Sequence, residues 1–167
     1  MANPRPEDVR IEDIAHVLGI VCRFGGHIPK FYSVAEHSIE CCRKALKEGH
    51  PREVQLATLL HDAAEAYLGD VVKPLKVLLA PIYGPLEEKN ERAIAERFGV
   101  DFEATKPIWK RIDREMVIAE RYAIFGDDGQ VWTGEEQVER YEFTPKFLPP
   151  EEAEWQFLRT FDAVMEW

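Results

Sequence analysis

The chain has no long apolar run, no paired cysteine spacing and no concentration of positive charge, and each lack removes a class of function. Nothing in its 167 residues approaches the roughly 20 consecutive apolar positions of a membrane-spanning helix, so no membrane partner is expected. The opening Met1-Ala2-Asn3-Pro4-Arg5-Pro6-Glu7-Asp8 lacks a signal-peptide pattern, which places the protein in the cytoplasm. Cys22, Cys41 and Cys42 are odd in number and two of them are adjacent, which argues against a disulfide framework. With no Cys-x-x-Cys pair they are weak zinc ligands and read as reduced core thiols. The formal net charge is −10 and the basic residues are scattered, with only short pairs such as Lys110-Arg111. An extended nucleic acid is therefore not an expected partner. A small anion remains admissible where a metal or a few basic groups offset the field.

What is present is helical periodicity almost throughout. Hydrophobic residues make up 46% and charged residues 31%, in a length that suits one globular domain over residues 1–167. Ile11, Ile14, Ala15, Leu18, Val21 and Cys22 recur at helical spacing over 11–24, and a loop from Gly25 to Phe31 follows. Ser33 with Glu36 three residues on has the capping-box pattern, opening a helix to about Lys47. Pro51 is placed to begin the next helix, to about Leu68. Val71–Leu79 reads as a short helix or turn around Pro74, and 82–98 as a helix closed by Gly99. A further helix spans about Thr105 to Phe125, stopped by Gly126-Asp127-Asp128-Gly129. Residues 130–150 read as irregular. A last helix begins near Glu151, with Trp155, Leu158, Phe161, Val164 and Met165 on its apolar side. The fold class expected is a single all-α bundle.

Certain polar residues sit where apolar ones belong. His61-Asp62 interrupts a stretch that otherwise reads as buried (Val54, Leu56, Ala57, Leu59, Leu60, Ala63, Ala64), and an unpaired carboxylate is costly to bury. His37 lies on the inward stripe of Val34, Cys41 and Ala45. Asp113 lies among Trp109, Ile112, Met116, Val117 and Ile124. Each has a plain alternative: a satisfied core histidine for His37, an ion pair with Arg111, Arg114 or another helix for Asp113. Taken together, two imidazoles and two carboxylates from three helices suit a borderline divalent metal such as Mn, Fe, Co, Ni or Zn. Glu65, four residues after His61 and three after Asp62, shares their face and could deprotonate an attacking water. Asp70 could protonate a leaving group or hold a second ion. The alternatives are an exposed acid for Glu65 and a turn residue for Asp70.

These residues resemble the HD-domain phosphohydrolase superfamily, whose pattern is a histidine, a His-Asp pair and a distant aspartate, here His37, His61-Asp62 and Asp113. Val34-Ala35-Glu36-His37-Ser38 is similar to the first-histidine segment of bacterial 5′-deoxyribonucleotidases. His61-Asp62-x-x-Glu65-x-x-x-Gly69-Asp70 with Pro74 and Lys76 is similar to their second segment, and small phage-type deoxynucleoside triphosphohydrolases share the outline. The resemblance covers residues 11–125, leaving 126–167 as an irregular segment and a C-terminal helix.

The resemblance implies an HD-type helical bundle that binds one divalent ion (Co, Mn, Zn, Fe, Ni or Mg) through His37, His61, Asp62 and Asp113. Glu65 then serves the water, and Asp70 transfers a proton or joins Glu65 at a second ion. Arg23 and Lys76 are the implied phosphate contacts. Phe24 occupies a position where this branch often has a tryptophan against the sugar or base. On the residues alone Arg23 reads as an ordinary surface cation. The reaction implied is attack of a metal-activated water on phosphorus of a small (deoxy)nucleotide, releasing either phosphate or triphosphate. Relatives of this kind are oligomeric, so a homo-oligomer is expected. The chain lacks the Gly-Tyr-Pro signature of cyclic-dinucleotide phosphodiesterases, and Ala66 follows Glu65 where hydrolases of hyperphosphorylated guanosine nucleotides carry Glu-Asp. Two other readings stand beside the enzyme: a metal-bearing nucleotide sensor, and a helical interaction module with coincidental polar residues.

Overall fold

Residues 2–127, 129, 131–132, 138 and 141–166 are described in the structure, a computed structural model. They form α1 (Ile11–Ile20), α2 (Val34–Lys47), α3 (Arg52–Leu60), α4 (Glu65–Leu68), α5 (Lys73–Phe98), α6 (Phe102–Phe125) and α7 (Pro150–Met165), with two short 3-10 turns. The all-α expectation holds: among the described residues there is no sheet, only an isolated antiparallel bridge between Cys22 and Ser33. No described helix is long and apolar enough to cross a membrane. Asp128, Gln130, residues 133–137 and 139–140, and Trp167 lie outside the described residues, and with them part of the irregular segment expected at 130–150.

The chain closes on itself. α7 packs against α1, α2 and α3, and α6 packs against α2 and α3. Gly19 makes the α1–α7 approach possible: a Cβ there would lie 3.0 Å from the Pro150 carbonyl oxygen. The core joins Ile14, Leu18, Ile39, Leu59, Leu60, Ile94, Phe157 and Phe161. Burial of each such side chain contributes roughly 1.5–3 kcal/mol. A smaller cluster of Cys41, Ala45, Val54, Ile112 and Met116 lies where α2, α3 and α6 meet.

Several boundaries differ from the periodicity reading. α1 ends at Ile20, because Val21 turns extended and the backbone pairs Arg23 N–H with the Tyr32 carbonyl. The helix expected up to about Leu68 stops at Leu60 and resumes at Glu65, with i→i−3 bonds tightening the turns between. Residues 73–98 form one helix rather than two, running through Pro81 and Pro85. Each proline removes one backbone donor without forbidding helical φ. α6 starts three residues early because Asp101 caps it, accepting from Ala104 N–H at 2.9 Å. In α7 the expected apolar side is wrong at both ends: Trp155 is 57% exposed and Met165 37%, while Phe157 is fully buried.

Ser33 caps α2 as expected, accepting from Glu36 N–H at 3.0 Å. Glu36 does not complete a capping box. Its buried carboxylate instead accepts the backbone N–H groups of Lys146 (2.7 Å), Phe147 (3.2 Å) and Leu148 (2.8 Å). That clamp holds the approach to α7 and fixes Phe147 in the left-handed region at φ 54°. Glu36→Ala should lower the free energy of unfolding by about 3 kcal/mol, since three charge-assisted bonds vanish and buried donors are stranded. Urea unfolding followed by circular dichroism measures it. A midpoint equal to wild type would show that this carboxylate does not hold the segment.

Candidate metal centre

Three separate elements aim four side chains at one point. His37 comes from the first turn of α2, Asp113 from α6, and His61 and Asp62 from the tightened turns after α3. Neighbours in a regular helix point about 100° apart, yet His61 Nε2 and Asp62 Oδ2 lie only 3.3 Å apart. The break after Leu60 accompanies that convergence. Four further distances are 3.2 Å between the two Nε2 atoms, 3.3 and 3.7 Å from His37 Nε2 to Asp113 Oδ1 and Asp62 Oδ2, and 3.6 Å from His61 Nε2 to Asp113 Oδ1. A tetrahedral shell with arms of about 2.0–2.2 Å has edges of about 3.3–3.6 Å, so the residues present fit a first-row divalent ion.

Hydrogen bonding at the far side of each ring sharpens the fit. His61 Nδ1 lies 2.8 Å from the Thr58 carbonyl oxygen, which can only accept, so Nδ1 carries the proton. His37 Nδ1 lies 2.6 Å from Glu120 Oε1 and donates in the same way. In their neutral forms both rings therefore turn Nε2 lone pairs toward each other and toward two carboxylate oxygens. Four acceptors facing one another need a positive charge between them. Protons can supply it. Burial lowers the His61 pKa, but Asp62 and Asp113 outweigh it and hold it well above the ordinary value. Burial likewise raises Asp62, yet His61 pulls it down to about 2. A divalent ion would replace those protons. His37, Cys41 and His61 also bring ligand atoms within 4.8 Å of one another. Burial, then Asp113, pushes the Cys41 thiol well above its usual range, so the ionised donors at the cluster are Asp62 and Asp113.

Glu65 is largely enclosed rather than the exposed acid of the alternative reading. Burial, then the charges of Asp62 and Asp70, raise its carboxyl to about 9, and its Oε2 has no hydrogen-bond partner. Asp70 is raised by burial, with Asp62 adding to it and Arg23 opposing. Arg23 is not a surface cation. Its side chain is 10% exposed, with Nη1 3.5 Å from Asp62 and Nη2 3.0 Å from Glu120, while Nε is buried without a partner. Lys76 is ion-paired with Glu87 and also feels Glu65. Phe24 sits in the left-handed region at φ 57°, its ring edge-on to Phe125 and Trp132 at 5.4 and 6.1 Å. It is part of an aromatic cluster beside the Arg23 guanidinium.

Sequence reasoning missed Glu120. It is fully buried and receives His37, Arg23 and Tyr32, the last from its hydroxyl at 2.9 Å. The signal was there: Glu120 stands two turns after Asp113 on the same helical face.

No family model matches the chain. It is 37% identical over 163 residues to the uncharacterized protein YfdR of Escherichia coli, covering 96% of this chain and 86% of that one. It is 36% identical over 125 residues to an uncharacterized protein of Rhodobacter capsulatus, covering 72% of this chain and 64% of the other.

The raised Glu65 carboxyl predicts a pH dependence of the metal-stripped protein. Its folded pKa of about 9 exceeds the unfolded value, so its contribution to stability is complete below about pH 4.3 and is lost as pH rises through 9. In EDTA, wild-type stability should fall relative to Glu65→Gln between pH 5 and 9. Urea midpoints that run parallel across that range would mean that Glu65 titrates as an ordinary carboxylate.

Proposed function

We propose that this chain, which belongs to the family of YfdR, is a divalent-metal-dependent phosphohydrolase of the HD type acting on small (deoxy)nucleotides. The observation that carries the reading is the meeting of four lone-pair donors beside an enclosed carboxyl with a free oxygen, Glu65. The resemblance of the His37, His61-Asp62 and Asp113 pattern to HD-domain phosphohydrolases supports it independently.

A bound divalent ion would supply positive charge beside the phosphoryl oxygens, acidify a water and lower Glu65 from about 9 toward the carboxylate form. The chain's own groups do the rest. Glu65 accepts the proton of the attacking water through its free Oε2. Asp70 gives a proton to the leaving oxygen as the P–O bond breaks. Arg23 is fixed by Asp62 and Glu120, leaving Nε as the donor available to a phosphoryl oxygen. Lys76 reaches phosphate by exchanging Glu87 for it. Phe24 forms an apolar wall with Phe125 and Trp132. The products are nucleoside with phosphate, or nucleoside with triphosphate. A nucleotide sensor would need neither Glu65 nor Asp70, which favours the enzyme. Three free thiols agree with a cytoplasmic setting. Self-association completes the proposal, through the apolar first half of α5, where Val77, Leu78 and Ile82 are exposed.

Asp113→Ala should lose bound metal and turnover while keeping wild-type helix content, read by elemental analysis, phosphate release and circular dichroism. Retained turnover would remove Asp113 from the site. Glu65→Ala should keep metal and lose at least a hundredfold in rate. Metal loss in that variant would make Glu65 a ligand. The substrate follows from a panel of nucleoside mono-, di- and triphosphates with Mn, Co, Mg and Zn, resolved by chromatography. Release from none of them would overturn the phosphohydrolase reading.

A further inference from the structure

α2 has a second working face. Cys41 and Cys42 are neighbours pointing about 100° apart. Cys41 lies 3.5 Å from His37 Nε2, whereas Cys42 lines a groove between α7 and the α2–α3 pair. The groove encloses about 830 Å³, within the range of small-molecule sites. Arg43, Arg52, Lys146 and Arg159 line it and no acidic residue does, in a chain whose net charge is −10.

The cations differ in how far they are committed. Arg43 is paired with Glu40 and bonds Gln156 at 2.9 Å, and Lys146 lies 3.7 Å from the same Glu40. Gln156 in turn donates to Glu152 at 2.8 Å. Arg52 bonds the Val164 carbonyl at 2.8 Å and Met165 Sδ at 3.2 Å, and makes no ion pair among the described residues. Arg159 makes no ion pair among the described residues. One carboxylate, Glu40, thus serves two of the four, and Arg52 and Arg159 keep net positive charge at the groove. Trp155 lies one turn before Arg159 on α7 and also lines the groove. At 57% exposed, it contributes little to the core that Ala153, Phe157, Phe161 and Val164 of the same helix build. A flat aromatic face one turn from an uncommitted guanidinium, over a floor of Cys42 and Val164, matches a ligand that is both flat and anionic.

We propose that this groove is a second ligand site, for an anion bearing a planar aromatic ring, of which a nucleotide is the simplest kind. The ring lies on Trp155, and the phosphate meets Arg159 and Arg52. The site is independent of the metal centre, whose ligands it does not include.

The test uses the full chain in EDTA, with ATP and AMP as probes, followed by tryptophan fluorescence and by calorimetry. Saturable binding is expected in wild type and equally in Asp113→Ala. Arg159→Glu, an exposed change, should weaken it at least tenfold, and Trp155→Phe should remove the fluorescence response. Adenosine alone and tripolyphosphate alone should each bind more weakly than ATP, because each meets one half of the site. Absence of saturable heat with either nucleotide would overturn the proposal. So would unchanged binding in Arg159→Glu, or its loss in Asp113→Ala, which would assign the nucleotide to the metal centre. Sedimentation showing that Arg159→Glu breaks a dimer, with no nucleotide bound by wild type, would make the groove a self-contact and also overturn it.

Discussion

The rest of the site depends on one buried carboxylate. Glu120 sits inside the bundle with no solvent to stabilise its charge, and it stays ionised because Arg23, His37 and Tyr32 surround it. Removing any one partner would leave charge uncompensated in a medium that cannot screen it. The arrangement makes demands in both directions. It fixes which nitrogen of His37 carries the proton, and so which one faces the cluster. It also draws the 22–33 loop inward, since Arg23 and Tyr32 are paired across that loop by the Arg23 N–H to Tyr32 carbonyl bond. The left-handed backbone at Phe24, Gly25 and Gly26 lies within that loop.

The parts of the site that the sequence made legible were the ones helical spacing encodes. His37 among Val34, Cys41 and Ala45, and Asp113 among Trp109, Ile112 and Met116, stood out because polar groups occupied apolar stripes, and the folded chain brings both to one cluster. The outer helix limits followed from caps: Ser33 and Gly99 lie where their chemistry places them. What spacing could not encode was the interruption at 61–64. Ala63 and Ala64 are strong helix formers, and nothing local announces that i→i−3 bonding takes over there. Glu36 misled for a related reason. A glutamate three residues after a capping serine fits the local pattern, but its carboxylate found donors 110 residues away. Helical spacing puts Trp155 on the apolar side of the last helix with Leu158 and Phe161. Phe157 took the inward position, and the helix turned Trp155 outward.

Charge in this protein is distributed with a sense of side. Asp62, Glu65, Asp70 and Asp113 gather on one side of the bundle, where Asp62 raises the proton affinity of Glu65 and Asp70, while His61 and His37 lower that of Asp62 and Asp113. Arg43, Arg52, Lys146 and Arg159 collect at the groove beside α7, where Glu40 pairs with Arg43 and Lys146. A net charge of −10 therefore coexists with a groove lined by four cations.

Glu36 fastens the second helix to residues 146–148, and α1, α2 and α3 all rest on α7. Every side chain of the cluster has been synthesised once residue 113 is in place, but α7, the surface that holds α1, α2 and α3 in register, follows only at residues 150–165. A growing chain on the ribosome would thus expose His37, His61, Asp62 and Asp113 with no frame to space them. The cluster's geometry is acquired when α7 docks, rather than as its own residues emerge.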